Sequence, residues 1–192
     1  INSNKTVEIT GTGKITSGSN NINTITNNGI LTISDKIVIE NNSTSYGYYT
    51  IYNYSNNSNL NIVDSVNILG NYKAIYNFGT VNVNDGKIEA KYQENSAYGI
   101  YNISSNSILY VNDGEIKGYC GICNNGFCEI NNGKIVGTGG YGIGYGTINI
   151  KGGRIEGKTY GVLSRSSGKL VIGQESDELS TTIPAIYGGN YS

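Results

Sequence analysis

Histidine, tryptophan and methionine are absent from this 192-residue chain, and proline occurs once, at Pro184. Without histidine there is no imidazole to act as a general base or metal ligand near neutral pH. Charge of one sign is missing too: 13 Lys and Arg stand against 14 Asp and Glu, for a formal net charge of -1. A nucleic-acid partner usually needs a basic face, so this balance argues against one. No apolar run is long enough to span a bilayer. The glycine-rich stretch Gly137–Gly146 is not followed by Lys-Ser/Thr, so it is no phosphate loop. The chain starts at Ile1 without a charged-then-apolar leader, which reads as a processed or excised piece.

What remains is distinctive. Isoleucine dominates the apolar set, with valine and leucine behind it, and asparagine, serine and threonine surround 28 glycines and 17 tyrosines. Branched aliphatics and tyrosine favour strands, whereas Asn and Gly favour tight turns. The chain reads as all-β with many short strands.

A repeat organises them. Ala74-Ile75-Tyr76-Asn77 returns as Gly99-Ile100-Tyr101-Asn102, with weaker copies at Thr50–Asn53, Gly121–Asn124, Gly142-Ile143, Gly161-Val162 and Ala185–Tyr187. With Ile25 added, the aliphatics fall at 25, 51, 75, 100, 122, 143, 162 and 186, at intervals of 19–26 residues. Each copy leads into an alternating pair: Leu31/Ile33, Leu60/Ile62, Val81/Val83, Leu109/Val111, Cys128/Ile130, Ile148/Ile150 and Leu170/Ile172, with Val7/Ile9 at the start. After a turn comes a third column, read as Ile15, Val38, Ile68, Ile88, Ile116, Ile135 and Ile155. Alternation of period two places these side chains on one face. Three short strands per repeat, apolar side inward, make a coil that closes around a stacked core. Residues 1–192 thus read as a single β-solenoid of about eight coils, one segment of a longer array. A leucine-rich repeat would need a consensus with Leu/Asn spacing, which is absent here, and propeller blades need about 40 residues. Stacking puts Asn53, Asn77, Asn102 and Asn124 into a ladder, and gives Gly86, Gly114, Gly133 and Gly153 a turn position of positive φ.

Tyr98-Gly99-Ile100-Tyr101-Asn102, Thr80-Val81-Asn82-Val83 and Asn84-Asp85-Gly86-Lys87-Ile88 resemble the β-helix repeats of large, adhesin-like surface proteins of low-GC Gram-positive bacteria. The segments Gly168–Gly173 and Ser180–Ile186 are similar to a variant coil of the same proteins. The resemblance covers nearly the whole chain, best over residues 73–172. It implies a right-handed, pectate-lyase-like parallel β-helix displayed outside the cell or at its surface. The same fold hosts polysaccharide lyases and hydrolases.

Three groups of residues are candidates for function. Asp35, Asp64, Asp85 and Asp113 share a turn column that continues as Asn132 and Gly152. Carboxylates on neighbouring coils can serve acid/base chemistry or calcium. Here the column carries an Asn-Asp-Gly turn signal, without companion carboxylates at a regular offset, so a turn ladder is expected and no catalytic residue is assigned. Tyr52, Tyr76 and Tyr101 share a second slot, with Cys123 and then Tyr187 after them, beside a neighbouring slot of Tyr49, Tyr98, Tyr141 and Tyr160. If Ile75 points inward, Tyr76 points outward. A stripe of tyrosines either shields the coil edges or offers a platform for sugar rings or a protein. Cys120, Cys123 and Cys128 lack a fourth ligand for a metal; Cys128 belongs to the core, Cys123 is expected to face out, and Cys120 can pair with either, Cys120–Cys128 being the disulfide carried forward.

The expectation is a structural or adhesive module presenting an extended surface to a glycan or a host or cell-surface protein, without cofactor or metal. Further coils or identical subunits are expected to cover the two ends. The alternatives are a polysaccharide-acting β-helix enzyme, or its remnant, and an end-to-end filament subunit.

Overall fold

The computed structural model describes residues 1–17, 20–165, 168–173 and 184–189. These residues contain twenty-three strands and no helix. Every third strand along the chain pairs with its predecessor, always in parallel. The first sheet stacks eight strands from Thr6–Ile9 to Leu170–Ile172, the second eight from Thr12–Thr16 to Ala185–Gly188, and the third seven from Ile25–Asn27 to Tyr160–Leu163. This is a right-handed parallel β-helix with three strands per coil, the hand that parallel crossovers adopt almost without exception.

The alternating columns become the core. In the first sheet Leu31, Leu60, Val81 and Leu109 lie in register, as do Ile33, Ile62, Val83 and Val111. All eight are fully buried. In the third sheet the pairs Ile25–Ile51, Ile51–Ile75, Ile75–Ile100, Ile100–Ile122, Ile122–Ile143 and Ile143–Val162 follow the expected intervals. Burying each such side chain is worth roughly 1.5–3 kcal/mol, and the parallel ladder repeats that gain coil after coil.

Two expected positions are corrected. Val38 is half-exposed, and the inward residues of its strand are Ile37 and Ile39, with Ile39 pairing both Ile15 and Ile68. The cause is the turn. Asp35 and Asp64 themselves take positive φ (65° and 58°), whereas the later coils give that role to Gly86, Gly114, Gly133 and Gly153, at 83–96°. The inward position therefore falls later relative to Asp35 than an Asp-Gly alignment suggests. The second correction is Ala185-Ile186-Tyr187, expected in the Ile75 column. Ile186 pairs with Ile155, in the second sheet. The chain has already used its third-sheet strand at Tyr160–Leu163 and its first-sheet strand at Leu170–Ile172, so the second sheet is next. Residues 180–183 of the variant-coil segment Ser180–Ile186 lie outside the described residues.

One corner of five successive coils is held by asparagine. Asn27 donates to Asn53 (2.8 Å), Asn53 to Asn77 (2.7 Å), Asn77 to Asn102 (2.6 Å) and Asn102 to Asn124 (2.7 Å). All five residues are fully buried. Asn27, Asn77, Asn102 and Asn124 also bond within their own turns: the Asn77 carbonyl accepts from the Gly79 N–H at 3.0 Å while its NH2 donates to the Gly79 carbonyl at 2.9 Å. A buried amide with this many partners satisfies a corner that strand hydrogen bonds cannot reach.

Candidate functional site

The outward face of the third sheet carries the tyrosines. Register runs Thr26, Tyr52, Tyr76, Tyr101, Cys123, Gly144, Leu163. Tyr52, Tyr76 and Tyr101 are thus brought together as the sequence implies, each half-buried, while Tyr187 belongs to the second sheet. Tyr52 meets Tyr76 edge-to-face at 5.7 Å and Tyr76 meets Tyr101 at 5.3 Å. Tyr49 stacks on Tyr76 with centroids 4.2 Å apart and planes 9° apart. Tyr54, Phe78 and Tyr98 extend the chain of ring contacts on either side. Offset and edge-to-face pairs support one another by about 0.5–1.5 kcal/mol each beyond area burial. The result is one continuous aromatic surface.

Lys73 interrupts the neighbouring slot, a feature sequence reasoning missed. Its strand partner is Tyr98, yet the residue is only 1% exposed. Its Nζ has no hydrogen-bond partner. Instead the ammonium lies 3.4 Å from the ring centre of Tyr46, with Tyr49 and Tyr98 at 5.7 and 5.8 Å. Ring faces attract a cation, but burial pulls the Lys73 pKa down to about 8. A base whose folded pKa lies below its unfolded one binds fewer protons when folded. Stability therefore rises with pH between about 8 and the ordinary lysine value of about 10.4. Lys73→Met is expected to be neutral or more stable than wild type at pH 7 by about 1–2 kcal/mol, and that difference shrinks by pH 9.5. Comparing urea midpoints of the two proteins at both values isolates Lys73 from the tyrosines. A difference that stays constant or grows with pH would show that the ammonium is well solvated.

The cysteines do not meet as a Cys120–Cys128 pair. All three are free thiols. Cys128 projects into the core from the first sheet, in register with Leu109 and Ile148. Cys120 occupies the outer slot of Tyr98 in the third sheet, so the wall of the coil separates them. Cys123 does hold the outward slot after Tyr101 but is only 5% exposed, because Tyr141 lies against both it and Cys120. Burial pushes the Cys123 thiol up to about 11 and raises Cys120 as well, which keeps both in the less reactive neutral form.

Beyond Tyr101 the aromatic column gives way to Cys123 and Gly144, and the surface drops into a groove of about 700 Å³. The coil shortens there. Three residues separate Cys123 from Phe127, but only two, Tyr145 and Gly146, separate their partners Gly144 and Thr147. The tight corner forces Tyr145 to φ 69° and Gly146 to 58°. A bulky residue in that region costs roughly 1–3 kcal/mol. Several contacts offset it. The Tyr145 carbonyl accepts from Asn124 at 3.3 Å, taking the place of the missing ladder asparagine. The ring packs edge-on against Tyr141 at 5.3 Å, and the Arg165 guanidinium lies 4.2 Å from its centre.

The acidic column is engaged in turns. Asp85 and Asp113 each accept from the N–H of the following glycine, at 2.6 and 2.8 Å. Asp35 accepts from the Thr10 hydroxyl (2.5 Å) and the Gly11 N–H (2.8 Å), which hold its pKa low. Asp64 accepts from the Asp35 N–H at 3.3 Å. Among the described residues, no three acidic or cysteine side chains converge as a metal site. No helix there is long and apolar enough to cross a membrane. Compared with known protein families, curated proteins and solved structures, the chain matches none.

Proposed function

We propose that this β-helix is a binding module of a bacterial surface protein, holding an aromatic platform outside the cell for a saccharide. The carrying observation is the unbroken set of ring contacts linking Tyr49, Tyr52, Tyr76 and Tyr101 on one sheet face. The solenoid fixes the spacing of these rings through its strand register, so little ordering cost falls on binding. A tyrosine offers a flat apolar face beside a polar tip, which suits the CH face and hydroxyl rim of a sugar ring. Setting and source rest on the resemblance of the repeats to Gram-positive surface proteins.

The test is binding to a panel of immobilised host and bacterial glycans, comparing wild type with Tyr52→Ser/Tyr76→Ser/Tyr101→Ser. At ~0.5–1.5 kcal/mol per lost ring contact, the triple variant is expected to bind at least about tenfold more weakly. Its far-ultraviolet circular dichroism should match wild type. Equal binding by both proteins, or none by wild type, would remove the platform reading. Release of shortened glycan by wild type would replace a binding module with an enzyme.

A further inference from the structure

We infer that the groove at the end of the platform selects saccharides whose terminal residue carries a carboxylate, with Arg165 as the selecting group. This rests on the saccharide reading above and adds the ligand's charge and polarity of placement.

The lining combines two chemistries. Tyr101 and Phe127 give an apolar wall, while Ser105, Asn125 and Thr147 contribute hydroxyl and amide groups. A sugar ring needs both, an apolar face and a polar rim, whereas an apolar peptide anchor would leave the polar groups without partners. The volume of about 700 Å³ falls in the usual range for small-ligand clefts.

Arg165 adds direction. Its guanidinium lies over the Tyr145 ring and donates to the Tyr145 hydroxyl at 3.3 Å. Tyr145 is itself fixed by its tight turn and its contact with Tyr141. Two constraints on a planar group leave its other N–H donors preorganised for a carboxylate, which such a fork binds through two parallel hydrogen bonds. Among the described residues, the ion pairs engage Lys14, Lys87, Lys91, Lys117, Lys134, Lys151 and Arg154, and no carboxylate takes Arg165. The aromatic column stops at Tyr101, on the opposite side of the groove from Tyr145 and Arg165. A ligand lying along the platform would therefore meet the positive charge at one end, which favours a terminal acidic residue.

Titration calorimetry of the purified protein with sialyllactose, trigalacturonate, sulfated lactose and lactose tests this, with Arg165→Gln and Arg165→Lys alongside wild type. At least one of the two carboxylated sugars is expected to bind about tenfold or more tighter than lactose, and which one identifies the acidic residue preferred. Arg165→Gln should bring that sugar to the lactose level. Arg165→Lys, which keeps the charge but loses the fork, should fall between. Lactose binding as tightly as both acidic sugars, or a preference that survives Arg165→Gln, would overturn the inference while leaving the saccharide platform standing. Sulfated lactose matching the carboxylated sugars would reduce the groove to a general anion site and also overturn it. If no sugar binds wild type, both readings fall together.

Discussion

Val83→Asp is expected to prevent folding or to lower the melting temperature by about 10–20 °C. Val83 is fully buried, with Ile62 and Val111 as its neighbours in the coils on either side. The variant loses the burial of a branched aliphatic and places a carboxyl group where no partner exists. Together these reach about 4–5 kcal/mol, at the upper end of single-residue effects and a large part of a typical total stability of about 5–15 kcal/mol. For a chain of this size each 1 kcal/mol moves the midpoint by about 2–4 °C. The transition should also broaden, because each coil of a solenoid is stabilised mainly by its neighbours and a weak one can separate the two halves. Asn84→Asp, one residue later on the exposed turn, is the control. Its side-chain oxygen already accepts from Asn112 at 2.7 Å, and a carboxylate accepts equally well, so its effect should stay within about 0.5 kcal/mol. A Val83→Asp protein melting like wild type would mean that the Leu/Val columns do not face a closed core.

The fold was legible because one short unit is repeated with its alternation intact, and each copy corroborates the others. The same logic explains where reading failed. Val38 stands three residues after Asp35, as Ile88 does after Asp85, but where the Asp itself takes positive φ the inward residue is the fourth, Ile39. Ala185-Ile186-Tyr187 looks like a third-sheet strand by composition, and only the order of strands around the coil assigns it to the second sheet. The outward tyrosine column follows directly from the Ile-Tyr alternation. Lys73 did not, because its burial depends on Tyr46, which comes from the long excursion at 40–50 and covers the ammonium. The groove left a trace in the shrinking repeat interval from 22 to 21 to 19 residues, but its cause, a corner one residue short, needs the register between Cys123–Phe127 and Gly144–Thr147.

Asn77→Asp, an almost isosteric change, is expected to destabilise the protein by about 3–5 kcal/mol at pH 7, more than Asn77→Ala. The Asn77 NH2 group donates to the Gly79 carbonyl, the Asn102 side-chain oxygen and the Ile108 carbonyl, at 2.9, 2.6 and 3.2 Å. Its own oxygen accepts from Gly79 N–H and Asn53 Nδ2, at 3.0 and 2.7 Å. An aspartate keeps the two accepted bonds. It replaces the three donated ones by a buried negative charge facing three oxygens, which costs more than simply losing them. Alanine removes all five bonds and leaves the Gly79 N–H without its side-chain acceptor, a loss of about 2–4 kcal/mol on the same scale. The two variants also differ in pH response. The new carboxyl, buried and facing acceptors, has its folded pKa raised above the ordinary value of about 3.9. Its protonated form can donate one of the lost bonds, so stability relative to wild type recovers as pH falls from 7 toward 4. Asn77→Ala should show no such recovery. Denaturant midpoints at pH 7, 5.5 and 4 decide the matter, with Asn77→Asp improving against wild type and Asn77→Ala running parallel to it. If Asn77→Asp matches wild type at neutral pH, or falls further behind it in acid, the asparagine ladder is not what closes this corner of the coil.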